Sequence, residues 1–315
     1  DPTQKITRFE ILNQFEKPLN AENRVFFSFR SAVYTPIAYI PAAAVIRLGI
    51  WCRCSPVLLM YLGRTVNLVV WLILVYVAIR IIPFFKWVLC VLALTPMSLY
   101  QAASLSADSM TNALAFLTIA YFLYWIYGPE DRIKRRHIVV FFLLTVLLSA
   151  GKNVFFLMSF LVFLVPACKY ANRKTYWFTS LSLIAANLAI CFIWYHVVKD
   201  LPIGWRPGVY PDRQITFILT HPLTYVKTLF TDVFRHIEFQ MKTFIGRFGW
   251  MDTPLPKRHY HLWALFLLLV ILITALAVIG MLKNHFDGDP IIAFKTDSPL
   301  YQADQFINRS LTGTN

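Results

Sequence analysis

Charge is what this chain has least of: 15% of its 315 residues are Asp, Glu, Lys or Arg, while 58% are hydrophobic. A soluble domain of that length covers its core with a charged surface, so the shortage leaves much of this chain's surface to face lipid. Acids are scarcest, 16 against 30 Lys and Arg, for a net charge of +14. The cations stand in short clusters flanking apolar runs, as membrane topology signals do. That pattern points to anionic headgroups or phosphates as partners and away from nucleic acid. Metal-ligand spacing is missing from the five Cys, Cys52, Cys54, Cys90, Cys168 and Cys191, and from the seven His. A phosphate loop, a dinucleotide Gly motif and a nucleophile elbow are missing too, which argues against an enzyme driven by a soluble nucleotide. There is no fixed-period repeat and no low-complexity tract. The start has neither an initiator Met nor a signal peptide, and the end, Asp297 to Asn315, is polar. Both ends read as cut from a longer protein.

Long apolar runs are what the chain has instead. The expected spans are Tyr61–Ile82, Phe84–Leu99, Ser109–Tyr127, Ile138–Pro166, Tyr176–Val198 and Leu262–Leu282, since about 20 apolar residues cross the hydrocarbon. Two short loops are basic: Arg132, Lys134, Arg135 and Arg136 in one, Lys169, Arg173 and Lys174 in the other. The positive-inside tendency puts both in the cytoplasm. The stretch Ile138–Pro166 joins them, so it must enter the membrane and return. Its break is predicted at Ala150-Gly151-Lys152-Asn153, where a helix-weak Gly and a charge interrupt the apolar pattern. Each arm then has roughly 20 Å of helix, which leaves the tip below the outer surface in a protein-lined recess.

The fold class follows as all-α, a polytopic membrane bundle with outer-face loops and interfacial helices. Residues 1–60 form a first outer loop whose preceding helix lies upstream, 61–198 the transmembrane core, and 199–261 a long outer loop. Residues 262–282 form a further span and 283–315 a polar end. The outer loop holds nine Lys and Arg, but long loops largely escape the charge rule.

This topology gathers a few reactive residues at the outer face. Asp108, in Ser104-Leu-Ser-Ala-Asp108-Ser-Met, stands where a capped helix begins, and an acid in a first turn is favoured by the helix dipole. It is equally placed to bind a metal or a substrate. Lys152 is an ammonium in apolar surroundings, costly unless paired, and either a lipid-linked phosphate or snorkelling to the interface would satisfy it. In Gly246-Arg-Phe-Gly-Trp-Met-Asp-Thr-Pro-Leu-Pro256, Pro and Gly fix a turn and Trp250 suits the membrane interface. There Arg247 could bind a phosphate or a sugar carboxylate, and Asp252 a sugar hydroxyl. Tyr34-Thr-Pro-Ile-Ala-Tyr39-Ile-Pro41 and the following Ala42–Gly49 read as a Pro-punctuated interfacial helix whose aromatics could stack on a sugar or pack on the bilayer. Arg64, in Gly63-Arg64-Thr-Val-Asn67, is an interface anchor or a phosphate contact.

The order of these features resembles the GT-C superfamily of membrane glycosyltransferases, which includes protein O-mannosyltransferases, aminoarabinose lipid A transferases and oligosaccharyltransferase catalytic subunits. The stretch from Tyr34-x-Pro36 to Gly49, then Arg64, looks like their first outer loop and second helix. Ser104-Leu-Ser-Ala-Asp108-Ser-Met resembles their second outer-loop acid, and Ala150-Gly-Lys152-Asn-Val their Lys-bearing hairpin. A closer resemblance is to an uncharacterised family of bacterial predicted membrane proteins. Its pattern looks like Tyr34-x-Pro36-x-x-Tyr39-x-Pro41, Gly63-Arg64, Pro96-Met97…Gln101…Asp108, Lys152 and Gly249-Trp-Met-Asp252-Thr-x-x-Pro256, across residues 30–260. One departure matters. GT-C enzymes carry a catalytic acid just after the first helix, a place upstream of this chain's start, and none of Glu10, Glu16 or Glu22 is assigned to it.

The resemblance implies sugar transfer from a polyprenyl-phosphate carrier to a lipid, glycan or protein acceptor outside the cytoplasm. The setting it implies is a bacterial cytoplasmic membrane. Asp108 would be catalytic, orienting the acceptor or holding a divalent ion such as Mg or Mn. Lys152, Arg247 and Arg64 would stabilise the phosphate, with Asp252, Tyr39 and Trp250 on the sugar. The rivals are a transporter or flippase for a lipid-linked polyanion and a non-catalytic assembly protein. Transporters usually show inverted repeats and breaks in both halves, whereas a single break and no repeat are visible here.

Overall fold

The computed structural model describes residues 7–20, 33–128, 132–199, 210–249 and 251–286. Trp250, Glu22 and the polar end from 287 onward lie outside them. The described chain is all-α apart from one two-residue strand pair, and four of its helices are long and apolar enough to cross a membrane.

A short helix, α1 (Arg8–Phe15), opens with a capping box between Thr7 and Glu10 and stacks Phe15 on Tyr61. A 3-10 turn, Pro36–Tyr39, leads into α2 (Ile40–Trp51). The first long helix, α3 (Pro56–Ile81), has Pro at its first position and Ser55 as its cap, the pairing that suits a helix start. α2 runs antiparallel to α3, with Gly49 against Leu59 and Gly63 against Ile46; a Cβ on Gly49 would come within 2.4 Å of Leu59. The expected interfacial helix is therefore half covered by protein, leaving Ile40, Leu48 and Trp51 exposed.

After a tight turn with Phe85 in the left-handed region, the expected span Phe84–Leu99 is broken. It forms α4 (Lys86–Ala93) and α5 (Pro96–Ala102). Pro96 has no N–H to continue a helix and disfavours helical backbone before it, while Thr95 caps the new helix through Ser98. The signal, Thr-Pro, stood in the sequence.

Helix α6 (Ala107–Tyr127) is the hub, packed on α3 and α5 and on α7 (Arg135–Gly151). Beyond Lys152 the chain returns as a 3-10 helix, Asn153–Leu164, and continues through Asn172, a side-chain cap, into α8 (Arg173–Val198). The Ile133 N–H donates to the Lys169 carbonyl at 2.9 Å, so the two basic loops meet at one end of the bundle. The fold-back expected for 138–166 is thus what the chain adopts. Its arms are longer than expected. α7 begins three residues early, and a 3-10 helix rises about 2.0 Å per residue, so each arm runs roughly 25 Å.

Beyond α8, α9 (Pro211–Thr220) and α10 (Pro222–Arg235) pack on one another and bury none of their residues. α11 (Ile237–Gly246) leads into β1 (Arg247–Phe248), which pairs antiparallel with β2 (Thr253–Pro254). The last helix is α12 (Lys257–Phe286).

The core is apolar where α3, α6 and α7 meet, around Ala78, Leu114, Leu117, Leu144 and Leu148. α8 is held to α7 differently. Fully buried Asn187 accepts from Ser149 at 2.6 Å and donates to Thr145 and to the Leu183 carbonyl. Such polar contacts join helices where lipid gives little hydrophobic drive.

Candidate functional site

α6 begins at the end of the bundle opposite the basic loops. Its cap is Ser106, whose hydroxyl accepts the Asp108 N–H at 3.3 Å. That leaves the Asp108 carboxylate free of capping duty, in the first turn at the positive end of the helix dipole. Across from it, α7 ends at Gly151. A Cβ on Gly151 would come within 2.6 Å of the Thr111 side chain, so α7 and α6 approach this closely because residue 151 has none. Lys152 follows in extended backbone and donates to Asp108. The side chains stay partly open, Lys152 23% and Asp108 34% exposed. From Asp108 to Tyr127 the helix runs about 29 Å, close to the ~30 Å hydrocarbon thickness, so this ion pair stands near one membrane boundary.

Residues 33–39 strap the pair in place. Thr35 donates to the Ala150 carbonyl at 2.5 Å, and Trp194 of α8 donates its indole N–H to the Val33 carbonyl at 2.6 Å. The Lys152 ammonium lies 5.3 Å from the centroid of the Tyr34 ring, a cation–π contact. Tyr39 accepts from the Ala107 N–H; burial first, and then its neighbours Tyr34 and the Asp108 carboxylate, push its phenol above the usual range. It stands neutral beside the pair.

Below the strap, polar contacts fix the loop that leads into Asp108. Arg64 donates Nε to the Ala103 carbonyl at 2.8 Å, and Asn67 donates to the Ser104 carbonyl at 2.7 Å. Ser109 reaches the Ala102 carbonyl at 2.9 Å. Arg64 is thus a clasp on the Asp108 loop through its Nε.

The strand pair holds the other expected residues. Gly249 and Met251 have φ of +66° and +68°, the geometry that reverses the chain. Arg247 donates to the Met251 carbonyl and stacks 4.8 Å from the Phe239 ring. Tyr260 closes the hairpin, accepting from Leu255 N–H and donating to the Gly246 carbonyl. Asp252 is exposed on the turn. The hairpin packs on α5 through Tyr100 and Phe248, 5.0 Å apart. So the structure gathers Asp108, Lys152 and Tyr39, while Arg247 and Asp252 sit one helix away.

Two residues were missed as site candidates. Gln101 and Asn112 share a 2.8 Å side-chain hydrogen bond, and Asn112 lies one helical turn from Asp108 on α6. The signal was the four-residue spacing from Asp108 to Asn112. Among the described residues no three His, Cys, Asp or Glu converge on a metal site. Divalent Mg or Mn wants several oxygen ligands, and the described site offers one carboxylate already engaged by an ammonium. These residues alone do not fit an ion.

Comparison with known families decides the assignment. The family model described as Predicted membrane protein (DUF2142) matches residues 10–286. The chain belongs to the DUF2142 family. Membership covers the whole described core and agrees with the all-α, multi-pass architecture. The GT-C likeness is finer than DUF2142 membership and is not shown by it. No curated protein and no solved structure matches the chain.

Proposed function

We propose that this DUF2142 chain is a membrane glycosyltransferase of GT-C type, moving a sugar from a polyprenyl-phosphate carrier to a cell-envelope acceptor. The chemistry is assigned to the non-cytoplasmic face of a bacterial cytoplasmic membrane. The observation that carries this reading is the Lys152–Asp108 pair, half-open at the end opposite both basic loops. An ion pair is a resting state that a phosphate can exchange into. Phosphate pairing with Lys152 would release the Asp108 carboxylate toward the acceptor hydroxyl. The carrier's sugar–oxygen bond then breaks with its electron pair leaving on the phosphate, which Lys152 stabilises. The acceptor oxygen bonds to the sugar carbon, and its proton passes to a carboxylate. Neutral Tyr39 and the Tyr34 ring offer the sugar an aromatic, hydrogen-bonding wall. Arg247 and Asp252 would join only if the hairpin moved toward α6. A divalent ion, if used, would take Asp108 and substrate oxygens as ligands.

The test is glycan transfer by the full-length protein carrying Lys152→Ala or Asp108→Ala. Each change should lower transfer by at least about 100-fold, the scale for losing a group that stabilises developing charge. Unchanged transfer in both variants removes the assignment, and repeating the assay with a chelator decides metal dependence.

One observation favours the rival, movement of a lipid-linked polyanion across the bilayer. A 3-10 helix as long as Asn153–Leu164 is uncommon and often marks a hinge. Vesicle-to-vesicle movement of polyprenyl phosphate without transfer would select that reading.

A further inference from the structure

The face of α6 that carries Asp108 does not end with it. Residues 108, 112, 115 and 119 follow each other at helical spacing on one side of the helix. Asn112 is half-buried, Ala115 likewise, and Ile119 is exposed. Gln101, from the end of α5, meets Asn112 at 2.8 Å through Nδ2 to Oε1. That bond uses one donor and one acceptor of the two amides. Among the described residues neither side chain has a second hydrogen-bond partner. What remains open is the Gln101 NH2 and the Asn112 oxygen, a donor beside an acceptor. Reversing both amides exchanges the roles and leaves the same complementary pair.

Open amides near a membrane boundary are costly unless water or a ligand meets them. Helix packing would have been served by an apolar pair. A hydroxyl is both donor and acceptor, and two neighbouring hydroxyls of a sugar span two adjacent amides. We infer that Gln101 and Asn112 form a hydroxyl-recognition subsite for the sugar of a lipid-linked substrate. The ion pair, one helical turn away, holds the phosphate that links this sugar to its lipid. The subsite deepens the transferase reading and rests on it.

The probes are decaprenyl phosphate and the same carrier bearing one glucose, mannose or galactose, added to the detergent-solubilised full-length protein. Affinity is followed by native mass spectrometry. The wild type should bind at least one hexosyl carrier about tenfold more tightly than the bare carrier, the order of one or two net hydrogen bonds. Gln101→Met and Asn112→Leu, close in size to what they replace, should each erase that preference while leaving bare-carrier affinity within about twofold, too small a change for a lost hydrogen bond. Lys152→Ala should weaken both carriers alike. A hexose preference that survives both amide changes overturns the subsite and leaves the phosphate site standing. A wild type that binds neither carrier overturns the transferase reading and the subsite with it. Melting temperatures without ligand check folding, and either amide variant alone suffices, since each removes half of the pair.

Discussion

Two ion pairs in this molecule show how differently the same chemistry can be used. Lys242 and Glu238 sit four residues apart on α11, 38% and 80% exposed. Lys152 and Asp108 are 44 residues apart, on the hairpin tip and at the start of α6, 23% and 34% exposed. The first pair is local and solvated, and such pairs contribute little to stability. The second exists only if α7 stops at Gly151, the chain turns, and the strap from Val33 to Tyr39 closes over it. An ion pair that depends on so much tertiary structure reports on how the helices meet, and it is the candidate site; the exposed one reports only on its own helix.

That contrast can be broken by experiment. The largest stability effect should come from Gly151→Val. Its side chain would collide with Thr111 and push the tip from α6, costing about 1–3 kcal/mol as an overpacked contact does. Thermal unfolding in detergent should show the loss, and transfer should fall although Lys152 and Asp108 are intact. Asn187→Leu should come next. It removes the links from α8 to Ser149 and Thr145 and should cost about 1 kcal/mol, the usual worth of a hydrogen bond between membrane helices. Here transfer should fall less than stability, because the tip keeps its contacts with α6. Glu238→Gln should do least. The hydrogen bond from Lys242 holds the Glu238 carboxyl below its ordinary range. Its small contribution is therefore present above the unfolded-chain value and fades as pH falls through the folded one. Melting curves of the variant and wild type should coincide in acid and separate barely, if at all, at neutral pH. A Glu238→Gln effect as large as that of Gly151→Val would erase the distinction between the pairs.

Much of the architecture was legible in the sequence because charge placement constrains topology. Arg132 to Arg136 and Lys169 to Lys174 forced the stretch between them to double back, and Gly151-Lys152 marked the turn. The structure ends α7 at Gly151 and starts the return at Asn153. What composition could not show was the geometry of that return. Nothing in Val-Phe-Phe-Leu-Met-Ser-Phe-Leu-Val-Phe-Leu distinguishes a 3-10 from an α-helix, since the choice is made by packing between α7 and α8. Thr95-Pro96 did carry its break, and it was overridden by the apolar length of Phe84–Leu99. At the site, Asp108 was visible as an acid at a helix start and Lys152 as a charge in an apolar run, but their pairing is tertiary. Arg64 was read at the mouth of a span, but α3 begins at Pro56 and carries it in the third turn, where its Nε meets the Ala103 carbonyl. Gln101 stood in the family pattern without a role and Asn112 was passed over, because neither carries a charge.

The 3-10 return arm has one more consequence. With three residues per turn its side chains rise in straight columns rather than a spiral. Val154, Leu157, Phe160 and Phe163 form an outward rib, while Ser159, Val162 and Val165 line the inward seam. Such a segment keeps its register only in steps of three. One residue inserted between Asn153 and Ser159 would rotate the rib by a third of a turn, burying large apolar side chains where a serine fits, whereas three would lengthen the arm and leave its facing unchanged.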